Sequence, residues 1–118
     1  MRKIFGAVIA MALVFVSIPA DAGRVGGPGN ATAVVKPFDN SYFDIKFEAK
    51  EAAVIRVIGD HSTDMDCYLY DSEGHAIDND VGPNDTCLLS WTPAWTGYFK
   101  LKIVNLGNAE NAFKVITN

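Results

Sequence analysis

The sequence predicts an all-β domain, an antiparallel β-sandwich of about eight strands with a jelly-roll-like path. Three observations predict it. Apolar and polar residues alternate with a period of two along most of the chain. Turn signals recur every 8–12 residues. After the first 22 residues no segment sustains a helical period.

The chain opens with Arg2 and Lys3, then an apolar run from Ile4 to Ile18, then Ala20-Asp21-Ala22. A short positive region, an apolar stretch and a small-x-small site make a secretory signal peptide, cleaved after Ala22. The run is shorter than the roughly 20 residues a membrane span needs, and no later run approaches its length. The reading is of an exported protein without a membrane span.

Gly23 to Asn30, "GRVGGPGN", has four glycines and a proline and is expected to be a flexible lead-in. The domain then runs from 31 to 118. "ATAVVKPF" is its first strand. "YFDIKFEA" sets Phe43, Ile45 and Phe47 against Tyr42, Asp44 and Lys46. "AAVIRVIG" is an almost continuous β-branched run ending at Gly59, expected as a well-buried strand. "DCYLYD" puts Cys67 and Leu69 on one face and Tyr68 and Tyr70 on the other. "SEGHA" supplies a turn at Gly74, followed by a weak strand near Ala76 and Ile77. "TCLLSW" aligns Cys87, Leu89 and Trp91. "GYFKLKIVN" alternates Phe99, Leu101 and Ile103 with Tyr98, Lys100 and Lys102. "NAFKVIT" closes the chain with Phe113 and Val115 inward.

Charge excludes some partners. Without its first 22 residues the chain has eight basic and thirteen acidic residues, a net charge of −5. That argues against nucleic acid or an anionic membrane surface. From Val57 to Phe99 there is no Lys or Arg, while Asp60, Asp64, Asp66, Asp71, Glu73, Asp78, Asp80 and Asp85 all fall in that interval.

Cys67 and Cys87 are the only cysteines. In an exported chain an even count favours a disulfide, and both lie on faces expected inward. The alternatives, a redox pair or two metal thiolates, lack a CxxC motif and histidines at zinc-ligand spacing.

The segments "DMDCYLYDSEGHAIDND", Asp64 to Asp80, and "LSWTPAWTGYFKLKIVN", Leu89 to Asn105, together resemble the bacterial pre-peptidase C-terminal domain. Asp64, Asp66, Asp71 and Gly74 match its D-x-D strand and turn. Thr92, Pro93, Thr96 and Gly97 match its T-P-x-x-T-G turn. The resemblance implies a jelly-roll β-sandwich of the kind appended to secreted peptidases; relatives in clostridial collagenases bind collagen and use calcium. Phe99 stands where that family usually has tyrosine. Cys67 and Cys87 replace aliphatic core residues.

Two candidate sites follow. Asp64 and Asp66 project on one side of an extended chain, and so do Asp78 and Asp80. Such carboxylate pairs can supply the oxygens calcium takes. They can equally shape turns. The stretch "IDNDVGPNDTC", Ile77 to Cys87, is a turn first, and a metal site only if the fold brings the two aspartate pairs together. The second site is aromatic. Tyr68, Tyr70 and Tyr98 are expected on outward faces and Trp95 in a turn, as sugar and extended-peptide sites use such rings. Trp91, in phase with Leu89, is expected in the core.

No catalytic residue is assigned. His61 lies near Ser62 and Asp64, but a local cluster is weak support for a triad, and neither a nucleophile elbow nor HExxH is present. The function expected is a secreted, non-catalytic module that binds an extracellular protein or polysaccharide, with calcium ordering its acidic loops. The alternative is an accessory or chaperone-like subunit that pairs with a separately encoded exported enzyme.

Overall fold

A computed structural model describes residues 23–118, so the expected signal peptide lies outside the described residues. Eight strands follow in chain order: β1 Gly29–Val35, β2 Asn40–Phe47, β3 Ala53–Ile58, β4 Met65–Tyr70, β5 Ala76–Asp80, β6 Thr86–Trp91, β7 Gly97–Asn105 and β8 Asn111–Thr117. They form two four-stranded sheets, in the orders β1-β8-β3-β6 and β2-β7-β4-β5. Every strand pairing is antiparallel.

The core lies between the sheets and is built by the period-two pattern. Phe43, Ile45 and Phe47 of β2 and Phe99, Leu101 and Ile103 of β7 face Ile55, Val57, Leu89, Phe113 and Val115 of the opposite sheet. Phe47, Trp91 and Phe99 meet edge to face, with centroids 4.8 to 6.2 Å apart. Such contacts add to the area the rings bury. Trp91 packs against the core but is only partly buried.

Cys67 on β4 and Cys87 on β6 are bonded, with Cα atoms 6.3 Å apart. The bond joins the two sheets through the buried layer. Its 20-residue separation corresponds to about 3 kcal/mol in the chain-entropy account.

Two expectations need correction. Gly23 to Val25, the start of the expected lead-in, is hydrogen-bonded to the sandwich. Arg24 N donates to Asn118 O, Val25 N to Lys46 O, and Glu48 N to Gly23 O, each within 2.9 Å. Arg24 bridges to Phe47, so the segment links the ends of both sheets. β1 itself begins at Gly29, inside the expected lead-in. β3 is half-buried rather than wholly buried. Ala53, Ile55 and Val57 point inward while Arg56 and Ile58 are exposed, because its outer face has no covering layer. The weak strand at Ala76 is real but buries no residue, which is why its pattern was faint.

Buried polar side chains tie the loops to the sandwich. Asn105 Nδ2 donates to the carbonyls of Val35, Lys36 and Ala109, and its Oδ1 accepts from Gly107 N. Asn111 and Asp85 meet at 3.0 Å beneath the β3–β4 loop. Gly59 sits against that Asp85 carboxylate, where a Cβ would collide.

Candidate binding face

β7 is flanked by β2 on one side and β4 on the other. Its outward residues include Tyr98, Lys100 and Lys102. Register fixes what stands beside each. Tyr42 of β2 and Tyr68 of β4 flank Lys102, and Asp44 and Tyr70 flank Lys100. Lys46 pairs with Tyr98. The protein has four tyrosines, and all of them lie on this one face.

The rows are chemically linked. Lys46 Nζ lies 5.7 Å from the Tyr98 ring centre, Lys100 Nζ 5.7 Å from Tyr42, and Lys102 Nζ 5.8 Å from Tyr68. These are cation–π distances. Lys100 Nζ also meets Asp44 Oδ1 at 3.2 Å. Tyr42 is 52% and Tyr98 48% exposed, so both rings are open to a ligand. Tyr68 and Tyr70 are half-buried. Burial, reinforced by the Asp66 charge, pushes the Tyr68 phenol up, which keeps it a hydrogen donor.

Between these rows is a hollow of about 710 Å³ lined by Asp44, Tyr70, Asp71, Ser72, Tyr98 and Lys100. Its floor is set by the β4–β5 turn. There Asp71 accepts from the amides of Glu73 and His75 and pairs with the His75 ring at 3.1 Å. Gly74 takes φ 89° in that turn, the left-handed conformation glycine adopts freely. Tyr70 and Tyr98 are thus brought together, while Tyr68 stands on the next row. Trp95 is 49% exposed and lies beside Gly97 at the start of β7, outside the lining of the hollow. Tyr42 was not among the expected site residues. Its phase with Asp44 and Lys46 was the signal available; its place beside Lys102 depended on strand order.

The four aspartates are not brought into one set. Asp78 and Asp80 pair in register with Leu69 and Cys67, so they share the inward phase of those residues. Asp66 is in phase with Tyr68, on the outward side. Asp80 accepts from Leu88 N at 2.9 Å and from Gly82 N; Asp78 accepts from Ser90 N at 3.1 Å and from Asn79 N. Asn84 takes Thr86 N at 2.9 Å. Three side chains of the Ile77–Cys87 stretch thereby occupy the outward amides of β6, an edge strand. Among the described residues no group of three or more His, Cys, Asp or Glu is arranged to hold a metal ion. At the other pair, Asp64 Oδ1 is buried without a hydrogen-bond partner. Burial first, then the Asp64 charge, raises Asp66 above its ordinary value.

The histidine cluster forms no triad. Ser62 Oγ has Asp60 Oδ1 and the Glu110 carbonyl as acceptors within hydrogen-bond reach, and neither bond involves the imidazole. His61 Nδ1 is 3.5 Å from Asp85, whose other oxygen accepts His61 N. The cluster shapes the β3–β4 loop.

The outer face of the other sheet also has a hollow, of about 650 Å³. Thr32, Val34, Ile58, Lys114 and Ile116 line it, and Phe113, the one aromatic there, is buried.

No family model matches the chain, and no curated protein matches it. Solved structures do. The pre-peptidase C-terminal domain of a collagenase from Bacillus anthracis superposes with a TM-score of 0.61 at 13% identity, covering 85% of this chain and 97% of that domain. The Aeromonas hydrophila PliG, a periplasmic inhibitor of g-type lysozyme, gives 0.58 at 8% identity, covering 81% and 86%. CorA, a surface-associated copper-binding protein of Methylomicrobium album, gives 0.57 at 9%, covering 75% and 92%. The likeness is one of fold: this chain has the β-sandwich of the pre-peptidase C-terminal domain.

Proposed function

We propose that the protein is a secreted, non-catalytic binding module that grips an extracellular protein or polysaccharide with the outer face of the β2-β7-β4-β5 sheet. The observation that carries this reading is the gathering of all four tyrosines on that face, interleaved with three lysines and adjoining an open hollow. Contiguous exposed apolar surface rimmed by polar residues marks interaction sites on soluble proteins. Tyrosine presents a rigid ring and a hydroxyl at little entropic cost. Tyr42, Tyr68, Tyr70 and Tyr98 are the contact residues. Trp95 extends the surface at the start of β7. The disulfide supports an oxidising compartment.

Calcium stays in the proposal at Asp64 and Asp66 alone. A hard cation would relieve the repulsion between those carboxylates and give the unpartnered Asp64 oxygen a ligand role. Asp78 and Asp80 act as strand-edge caps instead.

A panel of immobilised matrix proteins and glycans tests the reading. The wild-type protein is expected to be retained by at least one of them, and Tyr70→Ala/Tyr98→Ala to lose that retention while melting normally. Retention unchanged by the double variant would remove this face from the function.

The alternative, an accessory subunit for an exported enzyme, draws on the acidic pair Asp64 and Asp66, which suits a cationic partner. Co-purification of one stable partner, lost in Asp64→Asn/Asp66→Asn and kept in Tyr70→Ala/Tyr98→Ala, would favour it.

A further inference from the structure

Resting on the binding face proposed above, we infer that its ligand is an anionic polysaccharide, recognised by the Lys46–Tyr98 and Lys102–Tyr68 pairs at the two ends of the tyrosine strip. The charge distribution points that way. The chain is acidic, with a net charge of −4. The strip itself carries Lys46, Lys100 and Lys102 against Asp44 and Asp66. Lys100 is held by Asp44 at 3.2 Å. Lys46 and Lys102 are different. Among the described residues no carboxylate lies within ion-pair distance of either. Each ammonium lies instead near a tyrosine ring. Two cations without counter-charges are thereby presented on an otherwise acidic molecule, each next to an apolar platform.

Their spacing suits a polymer. Lys102 stands opposite Tyr42, four residues along β2 from Lys46. At about 3.4 Å per residue that is about 14 Å along the strand. The Asp44–Lys100 pair between them, with the Tyr70 and Tyr98 hydroxyls, supplies donors and acceptors for neutral hydroxyl groups. A chain with hydroxyls throughout and anions at intervals meets all three zones. A peptide is less suited to this site. β7 is hydrogen-bonded on both sides, so a peptide strand could add only beside β2, where Val25 already bonds the Lys46 carbonyl and where Lys102 and Tyr68 lie on inner strands. Ammonium groups act as point charges and do not select carboxylate from sulfate geometry, so the shared chemistry is that of an acidic sugar polymer.

Affinity electrophoresis of the whole protein through gels containing polygalacturonate, dextran sulfate, neutral dextran or polyglutamate tests this, at about 0.15 M salt to suppress long-range attraction. Retardation is expected in one or both acidic polysaccharide gels, and not in dextran or polyglutamate. Lys46→Ala/Lys102→Ala should weaken it about tenfold. Arg56→Ala/Lys114→Ala, on the outer face of the opposite sheet, removes the same two charges and should leave it unchanged. Retardation by polyglutamate equal to that by polygalacturonate would overturn the inference in favour of an acidic peptide. So would retardation unaffected by the lysine double variant, or none in either acidic polysaccharide gel. Equal retardation in neutral dextran, lost in Tyr70→Ala/Tyr98→Ala, would overturn the anionic assignment while leaving the binding face intact.

Discussion

The Asp80 carboxylate accepts the amide of Leu88 at 2.9 Å, where the carbonyl of a further strand would sit in a wider sheet. Two residues along, Asp78 does the same for Ser90. β6 is an edge of its sheet, and exposed edges invite pairing with other chains. Here an acidic turn segment caps the edge, and the same two carboxylates keep β5 beside β6. We expect Asp78→Ala/Asp80→Ala to lose about 1–3 kcal/mol, as charged hydrogen bonds at a partly exposed site do, and to aggregate more readily. Chemical denaturation and light scattering check this; unchanged stability and solubility would deny the capping role.

Reduction of the Cys67–Cys87 bond, or its replacement by Cys67→Ser/Cys87→Ser, is expected to remove about 3 kcal/mol. For a domain of this size the melting temperature should fall by more than about 10 °C. A thermal melt with and without reductant measures it. A shift of a degree or less would mean that packing alone holds the sheets together.

Acid should destabilise the domain partly through the β4–β5 turn. The His75 amide, assisted by that of Glu73 and by the His75 ring, holds Asp71 below the ordinary aspartate value of 3.8. A lowered folded-state value stabilises the fold above 3.8 and is lost as pH falls through it. Asp71→Asn should therefore lower the melting temperature at pH 7 and narrow its gap from wild type as pH falls below the carboxylate range. A gap that does not change with pH would show that the charge of Asp71 is not what matters.

Asp66 carries the opposite sign. Its raised folded-state value means that its contribution is fully present below 3.8 and is lost as pH rises through the raised value. At neutral pH the ionised group costs stability. Asp66→Asn should melt higher than wild type at pH 7 without calcium, and show no such advantage at pH 3. Millimolar calcium should raise the wild-type melting temperature, since a ligand bound only to the folded state stabilises it, and should leave Asp66→Asn unmoved. A wild-type melt identical in calcium and in chelator would remove calcium from the account.

Much of this fold was legible because burial in a sandwich follows side-chain phase. Phe43, Ile45, Phe47, Cys67, Leu69, Leu101 and Val115 could be placed inward from alternation alone, and the cysteine pairing came with them. Strand order could not. Tyr42 was visible as an outward residue, but its place beside Lys102 depends on β2 pairing with β7. The aspartates show the same limit. Their i, i+2 spacing put each pair on one side of its own strand, but register with β4 sets Asp78 and Asp80 on the inward phase and Asp66 on the outward one. β3 looked fully buried because β-branched residues also suit an exposed sheet face, as Ile58 does.

The central claim concerns which face binds. Its most direct test is a titration of the isotope-labelled protein with whichever polymer the binding panel selects, followed by backbone amide chemical shifts. The largest shifts should map to Tyr42, Tyr68, Tyr70, Tyr98 and Lys102. Shifts concentrated instead at Val34, Ile58 and Ile116, around the hollow of the opposite sheet, would contradict the account.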